Sequence, residues 1–186
     1  MKLFWAVLAA LALAGCSAGK DAVVQGSSFS FVSPGGKVDI TYDIAQRQTA
    51  PVLAGDDLMN EGKQLSLADF AGKVVVLNLW GQWCGPCRTE APEMESLAKQ
   101  GVQVVGIDVR DPAREVAQDF VRDRQLTYPS IYDPDGRVLL KLSGYPRNII
   151  PSTIVLDKHH RVAAVFLRPV LAQDLLPVTQ RLTAEA

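Results

Sequence analysis

The sequence has few of the residues that build metal centres or disulfide frameworks. Its 186 residues include three cysteines and two histidines, so an extensive disulfide framework is excluded. Charge is balanced as well, because 19 basic and 20 acidic residues give a formal net charge of −1. No basic cluster, glycine-rich phosphate loop or Ser/His/Asp set is visible, and we expect no nucleic-acid partner.

The N-terminal apolar run is too short to anchor the chain as a membrane-spanning helix. It covers 3–14, about a dozen residues where about 20 are needed, and follows the positive charge of Lys2. The residues at 13–16, Leu-Ala-Gly-Cys, resemble the lipobox of bacterial lipoproteins. We expect residues 1–15 to be a signal peptide, removed before a lipid-modified Cys16. The alternative is an ordinary cleaved signal with Cys16 unmodified.

The chain behind this signal divides into a tether, an extension and one domain. Residues 16–28 are mostly small and polar, as in a flexible tether. In 29–50, apolar residues alternate with polar ones on both sides of a Pro-Gly-Gly turn, which predicts a β-hairpin followed by a linker. Residues 51–186 are long enough for one buried core and too short for two ordinary domains.

The pattern within 51–186 predicts an α/β domain with a central mixed β-sheet and helices on both faces. Strands separated by helices pair in parallel through right-handed crossovers. The last two strands flank a short polar turn, which predicts an antiparallel hairpin before a closing helix. The predicted elements are strands over 74–80, 102–109, 152–156 and 162–167, and helices over 88–100, 112–124 and 171–182.

Two cysteines with two residues between them follow the first of these strands. Residues 80–88 read Trp-Gly-Gln-Trp-Cys-Gly-Pro-Cys-Arg and open the first predicted helix. Thiols at this spacing close into an easily reduced ring, and the partial positive charge of a helix N-terminus favours the Cys84 thiolate. We therefore expect Cys84 to attack a substrate disulfide. Cys87, farther along the helix and less exposed, is expected to resolve the mixed disulfide.

These motifs resemble the TlpA/ResA-like thiol-disulfide oxidoreductases of the thioredoxin superfamily. The likeness rests on the cysteine motif at a strand-to-helix turn, its flanks at 73–80 and 88–92, and Ile-Pro-Ser-Thr at 150–153. It covers about 51–184 and implies a thioredoxin-like fold. Together with the lipobox, the chain resembles most closely the ResA-like lipoproteins of actinobacterial cytochrome c maturation.

The resemblance also implies roles for residues around the cysteine pair. Pro151 matches the family's cis-proline, beside which the Ile150 backbone pairs with an extended substrate. Glu90 matches a glutamate that handles active-site protons, since Asn78 replaces the titratable aspartate of thioredoxin. Helix geometry places Glu90 on the face below the disulfide, and the alternative is a solvated helix residue. The other candidate substrate-binding residues are Trp83, Gly85 and Pro86.

The resulting hypothesis is an exported, membrane-tethered protein-disulfide reductase with no cofactor beyond the disulfide of Cys84 and Cys87. The resemblance implies the Cys-x-x-Cys-His segment of apocytochrome c as substrate and a CcdA/DsbD-type membrane protein as electron donor. A lipid on Cys16 is expected to hold the protein, a monomer, at the outer face of the cytoplasmic membrane near both partners.

Three alternatives stay open. The same fold could run in the opposite direction, as a DsbE-like oxidase that forms disulfides in exported proteins. A lipoprotein of another class could hold copper in its cysteine pair as a metallochaperone. Peroxidase activity is a weaker option, because Cys84 lacks the upstream Pro and Thr of peroxiredoxins. We expect no metal ligation by His159 and His160, since adjacent residues on extended chain point to opposite faces.

Overall fold

The computed structural model describes residues 29–185. The predicted signal peptide at 1–15, the lipidation site Cys16 and the rest of the tether at 16–28 lie outside the described residues. Within the described part of the chain, no helix has the length and apolar character needed to cross a membrane.

An eight-stranded mixed sheet forms the centre of the molecule. The strands are β1 (Asp39–Thr41), β2 (Ala54–Asp57), β3 (Gln64–Ser66), β4 (Val75–Trp80), β5 (Gln103–Val109), β6 (Ser130–Asp133), β7 (Ser152–Leu156) and β8 (Val162–Phe166). Their order across the sheet is β1-β8-β7-β4-β5-β6-β2-β3. The pairs β4–β5 and β5–β6 are parallel and the others antiparallel. The strand that leads into the cysteine pair, β4, is therefore central and is buried along its whole length.

Three α-helices pack against one face of this sheet. They are α1 (Gly85–Lys99), α2 (Arg114–Asp123) and α3 (Ala172–Ala184). The predicted parallel strand order and the antiparallel β7–β8 hairpin are confirmed. Because the chain steps from β4 to β5 to β6 in one direction, right-handed crossovers place α1 and α2 on the same side. The prediction of helices on both faces is therefore met by α-helices on one face only. The opposite face carries short 3-10 helices at Leu67–Phe70 and Leu139–Lys141.

Alternating side chains of the central strands form two apolar clusters, one on each face. On the helix face Trp80 packs with Met94 of α1, and its ring stacks on Phe120 of α2 with the centroids 5.2 Å apart. On the other face Leu77 and Leu79 pack beneath the N-terminal segments. A fully buried side chain of this kind contributes about 1.5–3 kcal/mol. The cysteine pair thus begins a helix that is fixed to a buried strand.

The N-terminal extension does not form the hairpin predicted within 29–50. Instead β1 adds to the edge strand β8, which would otherwise present unpaired backbone groups. The segment before β1 bonds elsewhere: the Phe29 N–H donates to the Thr49 carbonyl at 2.9 Å, and the Phe31 N–H donates to the Ser143 carbonyl at 2.8 Å. The segments on either side of the Pro-Gly-Gly turn therefore bond to distant parts of the chain and not to each other.

The second half of the extension is fastened by a buried arginine. The Arg47 guanidinium donates to the Asp157 carboxylate at 3.3 Å and to the Glu185 carboxylate at 2.9 Å. Removing one partner of such a pair leaves the other charge buried and uncompensated. The extension is thus held against the β7–β8 turn and the end of α3, where the sequence pattern indicated only a linker.

Candidate active site

Cys84 and Cys87 form a disulfide at the start of α1. The S–S distance is 2.07 Å and the Cα atoms are 5.3 Å apart. Cys84 is the N-cap residue, and its sulfur accepts the Cys87 N–H at 3.2 Å. Pro86 occupies the first turn, where a helix needs no N–H from it. The partial positive charge of the helix end therefore acts on the Cys84 sulfur and stabilises its thiolate after reduction.

Both cysteines are buried. Cys84 is 4% exposed and Cys87 is 2% exposed, so the predicted order holds by a small margin. Gly85 and Pro86 are exposed beside them, and Trp83 is 43% exposed. These three exposed residues therefore form the surface next to Cys84.

Trp83 is held in place at the edge of this surface. Its indole N–H donates to the Val109 carbonyl at 2.9 Å, and the Arg110 guanidinium lies 4.8 Å from the ring centroid. Gly81 permits this position, because a Cβ there would collide with the indole. The ring is therefore a fixed part of the site wall.

The loop before β7 lies at the same end of the sheet as the cysteine pair, because Ser152 pairs with Leu79 at the end of β4. The Ile150–Pro151 peptide bond is cis, as the resemblance implied. Ile150 is partly buried and packs against the apolar cluster that contains both cysteines. Pro151 is buried and has no N–H, so this position offers no backbone donor.

Glu90 is a buried residue of α1 and not a solvated one, with 3% of its surface exposed. One carboxyl oxygen accepts from the Asn78 side-chain amide at 2.9 Å, and the other accepts the Val170 N–H at 2.8 Å. Burial raises the pKa of Glu90 to about 7, against the lowering effect of these hydrogen bonds. Glu90 follows Cys87 by three helical positions, so a group that exchanges protons near neutral pH lies on the same helix face as the second cysteine.

A second buried carboxyl group, which the sequence pattern did not indicate, belongs to Asp108. It lies beside Trp80 in the β4–β5 register, and neither oxygen has a hydrogen-bond partner among residues 29–185. Burial and, after it, the neighbouring Asp111 and Asp133 carboxyls together raise the pKa of Asp108 to about 9. The available signal was an acidic residue within the otherwise apolar run of β5.

Asp111 connects this group to the active-site loop. Its carboxylate accepts the Gln82 N–H at 2.7 Å, and its backbone carbonyl accepts the Tyr132 hydroxyl at 3.0 Å. The loop between β4 and the cysteine pair is therefore held from the end of β5.

The two histidines lie away from the cysteine pair. They occupy the β7–β8 turn, at the other end of β7 from Pro151, and His160 Nε2 contacts the Phe70 carbonyl at 3.0 Å. Among residues 29–185, no group of three or more His, Cys, Asp or Glu side chains is placed to hold a metal ion.

Comparison with known protein families assigns the chain to one of them. The model of the AhpC/TSA family matches residues 46–165. The chain belongs to the AhpC/TSA family.

Relatives of this AhpC/TSA family member indicate which reaction it catalyses. It is 34% identical to the thiol-disulfide oxidoreductase ResA of Geobacillus thermodenitrificans, over 71% of this chain and 75% of that protein. It is also 34% identical to the thiol:disulfide interchange protein DsbE of Pseudomonas aeruginosa, over 69% of this chain and 72% of that protein. The crystal structure of a secreted thiol-disulfide isomerase from Corynebacterium glutamicum is 50% identical, with a TM-score of 0.83, and covers 86% of this chain and 100% of that one. The chain is thus a thiol-disulfide oxidoreductase of the ResA/DsbE type with a thioredoxin-like fold.

In this AhpC/TSA family member, the predicted site residues come from three segments that meet at one end of the sheet. The loop after β4 and the start of α1 supply Trp83, the cysteines and Glu90, while the loop before β7 supplies Ile150 and Pro151. Val170, Arg110 and Asp108 join them from positions that the motif does not include. Cys16 lies outside the described residues.

Proposed function

We propose that the protein reduces disulfides of exported proteins, with Glu90 as the proton acceptor for Cys87. The observation that carries this proposal is the buried Glu90 carboxyl, whose pKa of about 7 matches the working pH. Thioredoxin-like catalysis needs a base for the second thiol, and Asn78 at the corresponding strand position cannot titrate.

The reaction proceeds in two displacements. The Cys84 thiolate attacks one sulfur of the substrate disulfide, forms a mixed disulfide and releases the other substrate sulfur, which takes up a proton. The Cys87 thiol then gives its proton to Glu90, and its thiolate attacks the Cys84 sulfur. The second substrate sulfur leaves as a thiolate and takes up the proton held by Glu90 or one from water, so the substrate gains two electrons and two protons while Cys84 and Cys87 become a disulfide.

The substrate proposed is the Cys-x-x-Cys-His segment of apocytochrome c, which must be reduced before haem is attached. Support comes from the ResA-like motifs and from relatives named ResA. A CcdA/DsbD-type membrane protein is proposed to return the electrons. Both partners are at the membrane, and a lipid on Cys16 would raise the effective concentration of the domain there.

A specific observation keeps the oxidase as a second candidate. The Cys87 N–H and the helix end stabilise the Cys84 thiolate, and a stabilised reduced form makes a disulfide more oxidising. The reduction potential separates the two candidates. A reductase is expected near the value of thioredoxin, about −270 mV, and a value near or above that of DsbA, about −120 mV, would overturn the proposal.

Trapping identifies the substrate directly. Cys87→Ser should accumulate a mixed disulfide between Cys84 and an exported cysteine protein, because the second displacement is blocked. Cys84→Ser is the matched control and should trap nothing. Recovery of no exported cysteine protein with Cys87→Ser would count against a role in disulfide exchange. Stoichiometric copper that protects both thiols from alkylation, without insulin reduction, would favour the metallochaperone instead.

A further inference from the structure

A groove of about 520 Å³ begins where the wall of the active site ends. One side is the end of β5, including Val109, whose carbonyl holds the Trp83 indole. The other side is the segment 139–148, which leads directly into Ile150 and the cis peptide bond. The groove is thus continuous with both loops that flank the disulfide.

Arg110 places a positive charge at the junction of the groove and the active site. Its backbone is left-handed, with φ of 61°, and its guanidinium lies 4.8 Å from the centroid of the exposed Trp83 ring. Left-handed backbone is uncommon for a residue with a side chain, because the Cβ crowds the backbone there. Residues with such backbone cluster at functional sites, which supports a functional role for Arg110.

Arg147 brings a second positive charge to the same groove. Neither Arg110 nor Arg147 has a carboxylate partner within residues 29–185, and both are exposed. Asp135 is the one acidic residue of the described chain that lines the groove, and it pairs with Arg137 at 3.3 Å. The groove therefore presents two uncompensated positive charges.

The floor between these charges is partly apolar. Leu139 is buried there, and Leu140 leaves 59% of its surface exposed. An extended peptide presents alternate side chains to such a surface, so charged and apolar contacts can be made by one short segment.

We propose that this groove, the Arg110–Arg147 groove, binds a segment of the substrate polypeptide that carries acidic side chains near its disulfide. The inference rests on the proposed function and specifies the class of substrate. Two exposed charge pairs predict that an acidic substrate is reduced about 3- to 10-fold faster than a neutral one at low salt. The preference should fade as salt approaches ~1 M, where the Debye length is about 3 Å.

The test compares disulfide peptides that differ only in two flanking residues, Asp, Asn or Lys, placed on either side of the disulfide. The full chain is reduced beforehand and mixed with each peptide, and the single-turnover rate constant is measured. In Arg147→Glu the Asp-to-Asn rate ratio should fall about 3- to 10-fold, because one attraction is lost and one repulsion is gained, and the Lys peptide should react faster than with the unchanged protein. A gain for the Lys peptide cannot come from misfolding. Taking ratios between proteins cancels the intrinsic reactivity of each peptide.

Arg181→Glu is the matched control, because it makes the same charge change on an exposed arginine of α3, away from the groove. It should leave all three rates within about twofold. Equal Asp-to-Asn ratios in the unchanged protein and in Arg147→Glu would overturn the groove assignment while leaving the proposed function intact.

If no peptide is reduced, the proposed function is contradicted but the groove proposal is not. A binding measurement then tests the groove by itself. Peptides with serine in place of cysteine are added to the full chain with its disulfide closed, and the indole N–H signal of Trp83 is followed by NMR. A shift produced by the Asp peptide and lost in Arg147→Glu supports the groove. Equal shifts with all three peptides, or none, contradict it.

Discussion

Glu90 and Asp108 are equally buried carboxyl groups that differ in what surrounds them. Glu90 receives hydrogen bonds on both oxygens, whereas Asp108 receives none from residues 29–185 and faces two further carboxyls. The pKa is about 7 for Glu90 and about 9 for Asp108. The donors to Glu90 and the carboxyls beside Asp108, more than the depth of burial, thus separate a pKa near neutral from one well above it.

The strongest test of this contrast is Glu90→Gln, which keeps the size of the side chain and removes its titration. Below pH 7 Glu90 is protonated and cannot accept the Cys87 proton, so the rate of the second displacement should rise through pH 7 in the unchanged protein. Glu90→Gln should lower that rate on the order of 10²-fold at alkaline pH and abolish the inflection. Single-turnover rates across the pH range measure both effects.

The matched control is Glu95→Gln, another buried carboxylate of α1, which accepts the Thr127 N–H at 2.7 Å. It should keep the inflection near pH 7. Persistence of that inflection in Glu90→Gln would show that another group accepts the proton.

The second test is Asp108→Asn, measured as the free energy of unfolding. Between its usual pKa of 3.8 and its folded pKa of about 9, folded Asp108 keeps a proton that the unfolded chain releases. Rising pH therefore destabilises the fold through this group, and the asparagine variant escapes that loss. Asp108→Asn should be more stable by ~1–3 kcal/mol at pH 7, with the advantage vanishing near pH 4 and growing up to pH 9.

Denaturant unfolding at several pH values measures this gain. Asp119→Asn, on the exposed side of α2, is the control and should change stability by less than ~0.5 kcal/mol. A stability difference that stays constant between pH 4 and pH 9 would mean that the pKa of Asp108 is not raised in the fold.

The smallest expected effect comes from Asn78→Asp, which makes the surroundings of Glu90 resemble those of Asp108. A second carboxyl replaces an amide donor, so the midpoint of the pH–rate profile should move up by ~1 unit. Thr153→Val removes the other partner of Asn78 without adding a charge and should leave the midpoint in place. An unmoved midpoint in Asn78→Asp would show that the two side chains are not coupled.

Local sequence patterns predicted the parts of the fold that depend on neighbouring residues. A helix after the cysteine pair was predictable from local features, although it begins at Gly85 and not at residue 88 as predicted. The β7–β8 hairpin was predictable because its strands adjoin one turn. The hairpin expected in 29–50 was wrong for the opposite reason. Its turn is local, but β1 pairs with the edge strand β8, which is more than 100 residues away in the sequence.

The candidate site likewise contains residues that a local motif predicted and residues that only the fold brings together. Trp83, Cys84 and Cys87 belong to one continuous motif, and Pro151 was recognisable from a second. Neither Arg110 nor Asp108 was predicted as part of the site. Arg110 follows an apolar strand and looks like a simple strand boundary, and Asp108 is a single acidic residue within that strand. Their significance arises from Trp83 and Asp111, which the fold brings against them.

The sequence by itself determined that two thiols are joined at a helix start, because ring closure and the helix-end charge depend on residues within one turn. Only the tertiary structure decided which buried carboxyl has a pKa near neutral. The donors to Glu90 lie 12 and 80 positions away along the chain, and no donor reaches Asp108 within the described chain. A pKa depends on the desolvation and the partners that distant segments supply, and these exist only after the chain has folded.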